Sequence, residues 1–121
     1  MKHTIELKHV GPKQHVRQLL EELIDRLEER LVHLPKDAVF LHVVFEENGT
    51  HKLYRTSLSC HVPGRSVAAR EENRSAGTAI REAFEELERQ LEKYRTTHNR
   101  VAARGRRARL LRMASQEAQE V

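Results

Sequence analysis

The sequence predicts an α+β fold: a two-layer sandwich with one four-stranded sheet and two helices laid across one of its faces. Three observations carry that expectation. Two stretches, 13–34 and 75–95, repeat apolar residues at spacings of three and four, the period of a helix with one buried wall. Shorter stretches before and between them alternate or are dense in β-branched and aromatic residues. Gly-Pro, Asn-Gly and Pro-Gly pairs punctuate the boundaries, so the elements follow in the order β-α-β-β-β-α.

Each element has its own reason. His3–Val10 alternates, with Ile5 and Leu7 on one side and Glu6 and Lys8 on the other. Gly11-Pro12 breaks it, and Lys13–Leu34 follows as an amphipathic helix striped by Val16, Leu19, Leu20, Leu23, Leu27, Leu31 and Leu34. Pro35 bars its continuation. Ala38–Phe45 reads as a central strand, parallel to the first because a helix connects them. Glu46-Glu47-Asn48-Gly49 supplies the turn into a partner strand, His51–Val62. That strand sorts Tyr54, Thr56, Leu58, Cys60 and Val62 to one face. After Pro63-Gly64, a short strand Ser66–Arg70 points Val67 and Ala69 inward.

The last helix organises the rest. Ser75 suits its N-cap, because a hydroxyl there accepts a bond from a first-turn amide. Ala76, Ala79, Ile80, Ala83, Phe84, Leu87, Leu91 and Tyr94 form its apolar wall. Its acids come early (Glu82, Glu85, Glu86) and its bases late (Arg89, Lys93, Arg95). Macrodipole complementarity explains that sorting, and so does the approach of the basic end to a polyanion.

The charge balance divides in two. Residues 96–121 hold six arginines and two glutamates, whereas residues 1–95 hold sixteen bases and sixteen acids. The excess positive charge therefore belongs to the end of the chain. The expected organisation is a folded domain over 1–95 and a basic, disordered extension over 96–121, with Gly105 interrupting any helix there. Arg100 and Arg104 head its run of arginines, which contains no acid between Thr96 and Met113. Such an arm suits phosphates, and an anionic membrane surface is a weaker reading.

The remaining chemistry is thin. With one cysteine, no intramolecular disulfide and no thiolate zinc cluster can form. The absence of a long apolar run and of a leader predicts a soluble, cytoplasmic protein. His51 and His61 share a strand face but lie over about 30 Å apart along an extended strand. A metal site is thus disfavoured against surface or RNA-facing histidines, and no cofactor is expected. Cys60 and His61 are strand neighbours whose side chains diverge, which disfavours a nucleophile-base pair. Nothing else points to an enzyme or a small-molecule substrate.

The element order together with LERQLEKY (Leu87–Tyr94) resembles the ribosome hibernation-promoting factor and ribosome-associated inhibitor family, the sigma-54 modulation proteins. HVRQLLEELIDRLEERLVHL is similar to the family's first helix, and the likeness spans about residues 3–98. The resemblance implies a non-catalytic fold similar to double-stranded RNA-binding domains. It also implies binding to small-subunit rRNA in the messenger and transfer RNA channel near the decoding centre, which blocks translation under stress. The family's basic positions correspond to Lys8, Arg17, Arg26, Arg89 and Lys93, to which charge alone adds Arg95, Arg100 and Arg104. The chain is similar to the family's short type, expected as a monomer off the ribosome. Two departures stand out: Ser75-Ala76-Gly77 where the family has an Asp-Met-Tyr-like start, and Glu86 where it has a base. A protein-interaction module or a general double-stranded RNA binder with the same fold is the alternative.

Overall fold

The computed structural model describes residues 1–8, 14–50 and 52–96. The chain divides into two compact units, Met1–Gln90 and Leu91–Val121. Within the first, β1 (Lys2–Lys8), α1 (Gln14–Arg30), β2 (Phe40–Asn48), β3 (Leu53–Val62) and β4 (Arg65–Asn73) follow in order, with a 3-10 turn at Lys36–Ala38. A second helix, α2, occupies residues 76–96. The sheet has the order β1-β2-β3-β4, with β1 and β2 parallel and the other pairs antiparallel. This is the α+β sandwich in β-α-β-β-β-α order.

One face of the sheet is covered. Leu41, Val43, Phe45, Leu58, Cys60, Val62, Val67 and Ala69 are buried, and they alternate with exposed or half-buried neighbours on β2, β3 and β4, while Ile5 and Leu7 of β1 are half-buried. From α1, Val16, Leu20, Ile24 and Leu27 complete the layer, and from α2 Ala79, Ile80, Ala83, Phe84 and Leu87. The two helices run in the same direction. Arg30 of α1 donates to Glu88 of α2 at 3.0 Å, and a Cβ on Gly77 would lie 3.9 Å from Leu19, the same offset of 58 residues at both ends. Gln90 Nε2 donates to the Ala68 carbonyl at 2.8 Å, which ties α2 to the edge strand β4.

Several boundaries differ from the sequence expectation. The helix α1 ends at Arg30, because Pro35 disfavours helical geometry just before it and the chain tightens into a turn instead. There Leu31 N bonds both Leu27 O and Glu28 O, and Leu34 N bonds Leu31 O. Ile24, absent from the expected stripe, is fully buried, while Leu19 and Leu23 lie on its shoulder, half-buried. Ala38 belongs to the 3-10 turn, its N–H bound to Pro35 O, so β2 starts at Phe40.

Glu46 and Glu47 are strand rather than turn, paired with Arg55 and Tyr54. Asn48 pairs with Leu53, so Asn48 is the last residue of β2 rather than the centre of a two-residue turn. The Asn48 side chain accepts from Thr50 N at 3.2 Å, and Lys52 takes the positive φ of 50°. The last strand is not short: β4 runs nine residues, paired with β3 as far as Asn73, and Glu72 meets Arg55 across that pair, 2.5 Å from its guanidinium. The expected turn at Gly11-Pro12, the strand residue His51 and the extension beyond Thr96 lie outside the described residues.

Candidate nucleic-acid interface

The cap expected of Ser75 is formed. Thr78 N donates to Ser75 Oγ at 3.4 Å, and Asn73 Oδ1 accepts from Ser75 N at 2.9 Å, fixing the strand-to-helix corner. From there α2 presents its basic residues in two directions. Arg89 is exposed and donates to Glu86 at 2.8 Å, and this hydrogen bond and charge raise the Arg89 pKa further above its already high value. Glu71, Glu82, Glu85 and Glu86 border the same shallow depression. The sorting of acids and bases along the helix thus places Arg89 within an acidic neighbourhood. Lys93 and Arg95 are exposed on the last turns of α2, in the second unit.

Arg81 points elsewhere. Its Nη1 lies 3.0 Å from where a Gly77 Cβ would be, so the guanidinium folds over the bare glycine beside Leu19. The space an aromatic side chain would need at residue 77 is filled by an arginine from the next turn. The sequence reading passed over Arg81, although Gly77 four residues earlier is the signal that could have found it.

On α1, Arg17 and Arg26 are exposed and make no ion pair among the described residues. Nine positions apart, they sit about 180° apart around the helix and flank the buried stripe on opposite sides. Arg26 shares its side with Leu19 and Arg30, the side towards α2. The groove between the helices is therefore bordered by Arg26, Arg30 and Arg81. Lys8 lies on the other face of the sheet, with its Nζ 3.9 Å from Glu6. The expected residues thus occupy separate surfaces: the interhelical groove (Arg26), the far shoulder of α1 (Arg17), the outer side of α2 (Arg89) and the open sheet face (Lys8). Arg100 and Arg104 lie outside the described residues.

Other chemistry is separated by the fold. Cys60 is fully buried and His61 exposed, on opposite faces of β3, and burial pushes the Cys60 thiol up to about 11. Among the described residues no three His, Cys, Asp or Glu side chains converge where they could hold a metal ion. No helix there is long and apolar enough to cross a membrane.

A parallel pair of helices on one face of a β1-β2-β3-β4 sheet, with arginines bordering their groove, defines the class of small α+β proteins to which this chain belongs. Residues 3–99 match the model of the sigma 54 modulation protein / S30EA ribosomal protein family, and the chain belongs to that family. Two solved structures share the fold. A ribosomal subunit interface protein from Coxiella burnetii superposes with a TM-score of 0.60 at 21% identity, over 78% of this chain and 98% of that one. The N-terminal domain of Thermus thermophilus Protein Y does so with a TM-score of 0.65 at 23% identity, over 78% and 99%. No curated protein matches the sequence significantly.

Proposed function

We propose that this protein is a ribosome-associated inhibitor of translation that binds small-subunit rRNA in the messenger and transfer RNA channel near the decoding centre. It acts there by occlusion, without chemistry of its own. The observation that carries this reading is the family match over residues 3–99, together with the fold shared with a ribosomal subunit interface protein. The charge distribution supports it and sharpens it. Arg26 and Arg81 are exposed, have no ion-pair partner among the described residues and border one groove, which suits a phosphate backbone. Arg89 must first leave Glu86 to serve the same purpose.

Co-sedimentation with purified small subunits at low and physiological salt tests this. Binding should fall steeply with salt, and Arg26→Ala with Arg81→Ala should weaken it about tenfold or more, as the loss of two phosphate contacts requires. Arg89→Ala with Lys93→Ala measures what the outer side of α2 adds. Glu86→Gln should strengthen binding by freeing Arg89. A folded parent that fails to sediment with the subunit at either salt would sink the proposal.

A further inference from the structure

The open face of the sheet has a pattern that the reading above does not use. Strand register places its outward residues in four rows across β1, β2, β3 and β4. They are Lys2-Phe40-His61-Ser66, Thr4-His42-Ser59-Ala68, Glu6-Val44-Ser57-Arg70 and Lys8-Glu46-Arg55-Glu72. All are exposed or half-buried, and among them Phe40 is 38% exposed beside the His61 ring. The last row alternates plus, minus, plus, minus. Charges of both signs are interspersed on this face, so it offers no field for a polyanion.

From this we infer that the open sheet face is a self-association surface, which pairs with a second copy of this chain about a two-fold axis parallel to the strands between β2 and β3. That axis reverses every row, laying β1 over β4 and β2 over β3 of the second copy. Lys8 then faces Glu72, Glu46 faces Arg55, Glu6 faces Arg70 and Phe40 faces His61. Not one of the four rows brings like charges together, and every lateral neighbour remains as it is. In the middle rows Thr4, Ser57, Ser59 and Ala68 are small, His42 would face Ser59 and Val44 would face Ser57, and the longer Glu6 and Arg70 lie on the sheet's edge strands, so two sheets can approach near the usual spacing of about 10 Å. A two-fold interface must be self-complementary, and this register makes it so.

Strand spacing and rise give the face about 500 Å² of flat area per copy. That lies near the lower bound for a specific interface, so the pair is weak and reversible and replaces the expected monomer only at high concentration. Row Glu6-Val44-Ser57-Arg70 provides the test, because its two charges sit on opposite edges of the sheet and do not touch within one chain. Sedimentation velocity of the full chain from about 10 µM to about 1 mM covers the range such an interface implies. The parent should shift from monomer to dimer. Glu6→Arg alone and Arg70→Glu alone should each weaken self-association about tenfold or more, since each sets like charges opposite one another twice.

An equimolar mixture of the two variants should recover the dimer, because each then meets its opposite. Circular dichroism of each variant confirms its fold. A parent that stays monomeric throughout, single variants that dimerise like the parent, or a mixture that fails to recover would each overturn the inference. So would loss of small-subunit binding in Arg70→Glu with self-association unchanged, which would give the face to the ribosome instead.

Discussion

The two faces of the sheet are built from the same strands and obey different rules. On the covered face, β2 contributes Leu41, Val43 and Phe45, none of them accessible. On the open face the same strand contributes Phe40, His42, Val44 and Glu46, all partly exposed. The covered face is chosen by volume and apolarity, and the open face by which charge sits beside which. Stability should therefore depend on the covered face and be nearly indifferent to truncation on the open one.

Truncations break that comparison most directly. Phe45→Ala should cost about 3–5 kcal/mol, because a fully buried ring that stacks on Tyr54 at 5.8 Å leaves a cavity. Val44→Ala, one residue away and half-buried on the other side, should cost about 1 kcal/mol or less. Urea unfolding of both variants checks the pair, and equal losses would erase the distinction between the faces.

Alkaline pH probes the covered face without changing its volume. Burial raises the Cys60 thiol from its ordinary 9.0 to about 11, so the folded protein holds that proton after the unfolded chain has released it. The unfolded state then binds fewer protons, and stability falls as pH rises from 9 towards 11, by about 2–3 kcal/mol for this group. Unfolding of the parent and of Cys60→Ala across that range isolates the effect, which should be missing from the variant.

Smaller effects sharpen the picture. Thr56 is the one polar residue fully buried among the described residues, and its hydroxyl finds no hydrogen-bond partner there. Thr56→Val keeps the shape and should stabilise the protein by up to about 1 kcal/mol, read from the urea midpoint. Ser75→Ala should cost about 0.5–1 kcal/mol, the low end for an N-cap because its bond is long. The Arg30–Glu88 pair between the helices is solvent-exposed, and a double-mutant cycle should find about 0.5 kcal/mol or less.

Much of this was legible in the sequence. The stripe of α2 is buried as its spacing requires, from Ala79 and Ile80 to Leu91 and Tyr94. The inward residues of β3 are those that alternation assigns. Ile24 against Leu23 could not be read, because adjacent leucine and isoleucine are equally apolar and only the direction of approach of the sheet chooses between them. The candidate site was legible as a list of cations and not as a place. Helical spacing puts Arg17 and Arg26 on opposite shoulders, but which shoulder meets α2 depends on how the helices lie.

By itself, then, the sequence determined the element order and most of the buried face of each element, since periodicity is a local property of the chain, and the resemblance of LERQLEKY and the first-helix segment pointed to the family. Tertiary structure decided where strands end, because Glu46 and Glu72 look like turn residues until Arg55 arrives between them from β3. It also decided which cations are available. Arg89 is held by Glu86, Arg30 by Glu88, and Arg81 rests on the gap left by Gly77. Charges act through space, and distances through space are set only when the elements pack.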